Sequence, residues 1–86
     1  MSKSQVIKFV SAALKKRINP SLKNTELLVL ADGIYKRENW WYVPVYPKPE
    51  TERLYDVYDS LAMAAEELDD TGLKIQLVPA HLPENN

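Results

Sequence analysis

The chain of 86 residues contains no cysteine, only two glycines and a single histidine. Without cysteine, disulfides, thiolate nucleophiles and cysteine-based metal sites are excluded, and a reducing, cytoplasmic compartment fits. Gly33 and Gly72 are far apart, so no glycine-rich phosphate loop is present. His81 lies in a proline-flanked tail, and no nucleophile–base pair is indicated. We therefore expect a protein that is not an enzyme, with no catalytic residue, metal ligand or cofactor.

Long apolar runs are also missing from the sequence. Lysines interrupt the first twenty residues, which predicts neither a signal peptide nor a membrane span. A chain of this length is too short for two hydrophobic cores. Residues 1–80 are therefore expected to form one domain and residues 81–86 a polar C-terminal tail.

The charges are unevenly distributed although the formal net charge is only −1. Residues 1–37 carry eight basic and two acidic side chains, whereas residues 38–86 carry three basic and ten acidic ones. The near-zero total favours neutralisation between the two halves of the fold. The alternative is a charged docking surface for a partner or a nucleic acid.

Two segments have the spacing of amphipathic helices. Residues 4–18 place apolar side chains three and four apart, and Asn19-Pro20 ends this helix. A second helix is predicted from Pro49 to Thr71, with Gly72 after its end. Its apolar residues are Leu54, Tyr58, Leu61, Ala62, Ala65 and Leu68. This spacing predicts that Tyr58 belongs to the core.

Three segments predict strands. Residues 25–47 are rich in β-branched and aromatic residues, which favours two strands joined as a hairpin. The turn is either Asp32-Gly33 or the polar residues 36–39, and we favour the latter, with Gly33 in a bulge. Residues 73–80 alternate apolar and other side chains as a third strand does.

The resulting α-β-β-α-β order predicts an α+β two-layer sandwich with both helices on one face of a three-stranded antiparallel sheet. The expected strand order is 2-1-3. The first strand is then central, which fits its apolar residues on both faces. The second strand is at an edge, where the missing N–H of Pro44 faces outward.

The segment ENWWYVPVYP, residues 38–47, is the most informative one for function. Strand alternation sends Trp40 and Tyr42 to one face and Trp41 and Val43 to the other, so only one set is covered by the helices. The remaining set forms an exposed aromatic patch, unless loops or the tail fold over it. The predicted partner-binding residues are Trp40, Trp41, Tyr42, Tyr35 and Tyr46.

These observations favour a small cytoplasmic binding module that forms a homodimer or binds a partner protein, with no membrane association. An inhibitor or immunity-type protein is one version, in which the acidic second helix steers a basic partner. The alternative is a single-stranded nucleic-acid-binding domain that stacks bases on aromatic rings within a basic rim. The rim residues are Lys15, Lys16, Arg17, Lys36 and Arg37. A sequence pI of 5.8 argues against this alternative.

A third and weaker hypothesis is a small hydrolase or a metal-dependent enzyme. Glu52, Asp56 and Asp59 fall at spacings of four and three on the predicted second helix and would share one face. Such a stripe of carboxylates is more often a solvated helix face than a cation site.

Overall fold

The computed structural model of the chain describes residues 1–80, in which two helices accompany a four-stranded sheet. In chain order the elements are α1 (Lys3–Arg17), β1 (Glu26–Val29), a 3-10 turn (Ala31–Gly33), β2 (Tyr35–Arg37), β3 (Trp40–Lys48), α2 (Leu54–Asp70) and β4 (Ile75–Pro79). The predicted α+β class is confirmed. The predicted tail, including His81, lies outside the described residues.

Helix α1 begins and ends where the sequence indicates. The Ser2 hydroxyl accepts a hydrogen bond from the Gln5 N–H at 3.3 Å, and the Gln5 side chain accepts one from the Ser2 N–H at 2.8 Å. This reciprocal cap satisfies two amide groups that the first turn leaves without helical partners. The buried face consists of Val6, Val10, Ala13 and Leu14. Phe9 turns away from this face and is 44% exposed.

Helix α2 begins at Leu54, five residues later than predicted, because the Thr51 hydroxyl accepts the Arg53 N–H and forms a local turn first. Its predicted end is confirmed. Gly72 has a φ of 80°, its N–H donates to the Asp69 carbonyl at 2.9 Å, and the Leu73 N–H donates to the Leu68 carbonyl at 3.2 Å. These two bonds define a Schellman motif, which favours glycine because other residues adopt this φ at a cost.

The predicted place of Tyr58 in the core is wrong. Tyr58 is 44% exposed, because α2 presents a different stripe to the sheet. That stripe consists of Val57, Ser60, Leu61, Ala64 and Leu68. Helical spacing alone therefore assigned Tyr58 to the wrong side of the helix.

The predicted strand order 2-1-3 is also wrong, because β3 is the central strand. β1 and β2 both pair antiparallel with β3, whereas β4 pairs parallel with it. Successive carbonyls of β3 point to opposite edges: that of Pro44 accepts the Leu30 N–H, and that of Val45 accepts the Ala80 N–H. β1 and β2 thus lie end to end along one edge of β3, and β4 lies along the other.

Pro44 is accommodated in this central strand by the 3-10 turn that separates β1 from β2. Pro44 has no N–H to donate. The Leu30 carbonyl opposite it instead accepts the Gly33 N–H of the turn, so no donor is needed from β3 at this point. A Cβ atom on Gly33 would lie 2.8 Å from the Pro44 Cγ atom, so the close approach requires glycine. The first predicted strand is therefore interrupted at Gly33, where a bulge was expected.

The hairpin turn lies within the predicted residues 36–39. Arg37 pairs with Trp40 across a two-residue turn at Glu38-Asn39, and Glu38 has a φ of 53°. The turn fixes which β3 side chains face the helices. Val43 and Val45 do so and are fully buried, together with Leu27 and Ile75 from the neighbouring strands. Both helices therefore cover one face of the sheet, and the other face carries the alternate residues.

Candidate binding face

The face of the sheet opposite the helices is lined by aromatic side chains. Trp40, Tyr42 and Tyr46 alternate with the buried valines along β3, and each is half-buried. Neighbouring strands extend this surface, because Tyr35 and Arg37 pair with Tyr42 and Trp40, and Val78 pairs with Pro44. We call this surface the open face and define it by Tyr35, Arg37, Trp40, Tyr42, Tyr46 and Val78.

Tyr35 and Tyr42 form a stacked pair at the centre of the open face. Their ring centroids lie 4.9 Å apart, and the ring planes differ by 9°. Tyr35 remains 53% exposed on its outer side. Each ring restricts the rotation of the other, so the pair forms a preorganised part of the open face.

The two tryptophans point in opposite directions. Trp41 faces the helices and packs against the core, and the Lys36 ammonium lies 5.6 Å from the centre of its ring. Trp40 lies on the open face. Of the five residues predicted to bind a partner, Trp40, Tyr42, Tyr35 and Tyr46 thus share one surface, and Trp41 lies on the other side of the sheet.

The open face carries more positive than negative charge. Alternation along the strands places Arg37 and Lys48 on this side, and Lys74, immediately before β4, continues the alternation of Gln76 and Val78. Glu26, opposite Lys48, is the only carboxylate among the strand residues there. Within residues 1–80, no carboxylate lies within 4.0 Å of these three cations. Lys48 and Lys74 were not among the predicted site residues, because their positions depend on the register of β3 with its neighbours.

The basic residues predicted as a nucleic-acid-binding rim do not lie together. The end of α1, with Lys15, lies beside β1, whereas Lys36 and Arg37 lie at the hairpin turn. The β3 partners of Glu26 and Arg37 are eight residues apart. The start of β1 and the hairpin turn are therefore separated by about 26 Å along β3. Only Arg37 among the five predicted rim residues lies on the open face.

Two of these basic residues instead join the helices. Lys16 contacts the Glu67 carboxylate at 2.7 Å, and Arg17 contacts it at 3.3 Å. The hydrogen bond from Lys16 holds the pKa of Glu67 below its ordinary value, and the positive charges of Lys16 and Arg17 act in the same direction, against the opposing effect of desolvation. The contact gives a local reason for an acid near the end of α2, where the helix dipole disfavours it.

The acidic stripe of α2 serves a structural contact. Asp56 and Asp59 both accept hydrogen bonds from the Asn19 side chain, at 3.4 and 3.3 Å, and Asp56 also binds Arg53 at 2.6 Å. The buried Ser60 hydroxyl accepts the Asn19 N–H at 2.8 Å. In the part of the chain that the structure describes, no three acidic or histidine side chains converge as metal ligands. The hydrolase hypothesis for Glu52, Asp56 and Asp59 therefore has no geometric support.

Comparison with known proteins gives no relative. No protein-family model matches the chain, and no curated protein or solved structure matches it significantly. Neither helix between residues 1 and 80 combines the length and apolar character needed to cross a membrane. Function therefore has to be argued from the open face itself.

Proposed function

We propose that the protein is a small, non-catalytic, intracellular binding module that docks a partner protein on the open face. The observation that carries the proposal is that Trp40, Tyr42 and Tyr46 line the central strand on the side opposite both helices, where no described element covers them. Tryptophan, tyrosine and arginine are the residues most enriched at the energetic centres of protein interfaces. The absence of cysteine supports an intracellular location.

The position of these rings also supports binding. β3 is held by strands on both edges and by buried valines beneath it, so its outward side chains have a rigid base. The stacked Tyr35–Tyr42 pair loses little further freedom on binding. Tyrosine and tryptophan rings bury a large area on binding, and their O–H and N–H groups can donate hydrogen bonds to a partner.

The charges of the open face favour an acidic partner over a symmetric dimer. Two copies related by a two-fold axis through this face would bring Arg37, Lys48 and Lys74 of each copy towards the same cations of the other. A second copy fits better head to tail, with the acidic outer surface of α2 against the open face. The inhibitor or immunity-type version, in which α2 steers a basic partner, uses the helical layer on the opposite side.

The proposal is tested by site-specific crosslinking. A photoreactive phenylalanine analogue replaces Tyr42 in one sample and Tyr55, which is 90% exposed on α2, in a matched control. The crosslinked species are compared by mass in cells of the source organism, and light scattering across a concentration series reports self-association. We expect a discrete product from position 42, absent from position 55 and lost with Arg37→Glu. Equal products at both positions without self-association in light scattering, or none at position 42, would contradict the proposal.

A second candidate function is single-stranded nucleic-acid binding, favoured by one observation. The open face combines stackable rings with Arg37, Lys48 and Lys74 and a single strand carboxylate, Glu26. Binding of a fluorescent oligo-dT or oligo-U at about 50 mM salt, weakening steeply by about 200 mM, is the expected signature. Loss of oligonucleotide binding in Trp40→Ala but not in Tyr55→Ala would place the binding site on the open face. No binding at the lower salt concentration eliminates this function.

A further inference from the structure

β1 has the composition of a central strand but lies at an edge of the sheet. Residues 27–30 read LLVL, apolar on both faces. Edge strands normally carry lysine, proline or another feature that prevents pairing with a further strand. The other edge strands do so along their length, with Lys36 in β2 and Pro79 in β4, whereas β1 is short and carries a charge only at its first residue, Glu26, so that residues 27–30 are entirely apolar.

Among residues 1–80, the main-chain groups on the outer edge of β1 have no backbone hydrogen-bond partner. The Leu30 N–H bonds to the Pro44 carbonyl, so residues of the same parity, Leu28 among them, direct their backbone groups towards β3. Leu27 and Val29 therefore direct their N–H and carbonyl groups outward. No residue between 1 and 80 makes a backbone hydrogen bond to these outward groups.

A cavity of about 330 Å³ lies beside this edge. Helix α1 contributes one wall, with Leu14, Lys15 and Ile18, and residues 25–29 form the other. Five consecutive residues, 25–29, belong to the lining, so the cavity runs along the edge of β1. The lining is mainly apolar, and the volume is at the lower end of the range typical of ligand pockets.

We propose that an extended segment of another protein adds to β1 as a further strand. Its main chain pairs with the outward groups of Leu27 and Val29, and an aliphatic side chain on the helix side enters the cavity beside Leu14. β1 then becomes a central strand, as its composition indicates. A second copy of this chain fits less well, because the Leu27 side chain of that copy is already buried in its own core. This surface is separate from the open face and does not depend on its function.

The test uses a random dodecapeptide library displayed on phage and selected against the full chain. Synthetic versions of the selected peptides are then titrated against two matched variants. Val29→Pro removes an outward N–H of β1, and Leu77→Pro removes an outward N–H of β4; both side chains are half-buried against the core. We expect Val29→Pro to weaken binding by about tenfold, since it leaves a peptide carbonyl unpaired, and Leu77→Pro to change it by less than about twofold.

A measurement on the unaltered chain keeps the test decisive if either proline variant fails to fold. Bound peptide should slow amide hydrogen exchange at Leu27 and Val29 and leave Ile75 and Leu77 unchanged. Failure to select any peptide, equal losses in the two variants, or protection of β4 alone overturns the proposal. Loss of binding in Trp40→Ala with retention in Val29→Pro assigns the peptide to the open face and overturns it too. Self-association that Val29→Pro abolishes identifies a second copy as the occupant.

Discussion

The two faces of β3 have similar apolar character but opposite roles. Towards the helices, Val43 and Val45 are fully buried, whereas Trp40, Tyr42 and Tyr46 on the open face each retain part of their exposure. Small β-branched side chains let two helices approach the sheet closely, and rings with polar tips tolerate contact with water. Within one strand, residue shape therefore separates the side that is buried under the helices from the side that stays accessible.

The largest difference in the cost of an alanine substitution is expected between two adjacent β3 residues on opposite faces. Val45→Ala should lower the free energy of unfolding by about 2 kcal/mol, because it removes buried methyl groups and leaves a cavity. Tyr46→Ala, next in sequence but on the open face, should lower it by about 1 kcal/mol or less. Urea denaturation of both variants measures the two values. Equal losses would show that the open face is as much a core as the covered one.

The next largest effect on stability is expected at the 3-10 turn between β1 and β2. Gly33→Ala should cost about 1–2 kcal/mol, because the new Cβ would lie 2.8 Å from the Pro44 Cγ atom. In a Pro44→Ala background the same change should cost much less. The two single variants and the double variant form a cycle whose coupling energy is read from urea denaturation. A cost independent of Pro44 would disprove the steric origin.

The stacked rings on the open face should contribute a smaller amount. A double-mutant cycle with Tyr35→Ala and Tyr42→Ala is expected to give a coupling energy of about 0.5–1 kcal/mol. Tyr35→Ala combined with Tyr55→Ala, on a distant surface, serves as the control and should give additive changes. If the Tyr35–Tyr42 coupling is zero, the rings do not form a preorganised surface in solution.

The smallest effect concerns the contact that joins the helices over the covered face. The pKa of Glu67 is lowered in the folded state, chiefly by the hydrogen bond from Lys16. The stabilisation from Glu67 is therefore present above the unfolded-state pKa and is lost as the pH falls through the lower, folded-state value. Between about pH 5 and pH 3, unfolding should depend less on pH in Glu67→Gln than in the unaltered chain. Glu66→Gln, at a residue without a salt bridge among residues 1–80, should keep the original slope.

Local signals in the sequence were sufficient for both helices, the hairpin and the last strand, and for the separation of the tryptophans, but not for the division of the first predicted strand into β1 and β2. The end of α1 before Asn19-Pro20, the glycine after α2 and the alternation of β3 each depend on a few adjacent residues, and the structure confirms them. The strand order could not be obtained in this way. Pro44 indicated an edge strand, yet a turn elsewhere in the chain removes the need for its N–H.

For similar reasons, the sequence predicted only in part which side chains share the open face. Alternation correctly grouped Trp40 with Tyr42, but the cations Lys48 and Lys74 join them only through the pairing of β3 with β1 and β4. The start of α2 was missed because a hydroxyl at Thr51 outweighs the helix-starting preference of Pro49. Long-range pairing and single side-chain caps are the features that composition and periodicity do not encode.

The contact between Gly33 and Pro44 also protects the hairpin against misalignment. A shift of β3 by two residues would keep every side chain on its present face, so burial alone would not oppose it. The shift would, however, place the Pro44 ring opposite a residue that carries a Cβ atom. The main-chain carbonyl of that residue would then lack a hydrogen-bond donor, because Pro44 has no N–H. One proline and one glycine thus select a single alignment of the strands, and with it the arrangement of aromatic rings on the open face.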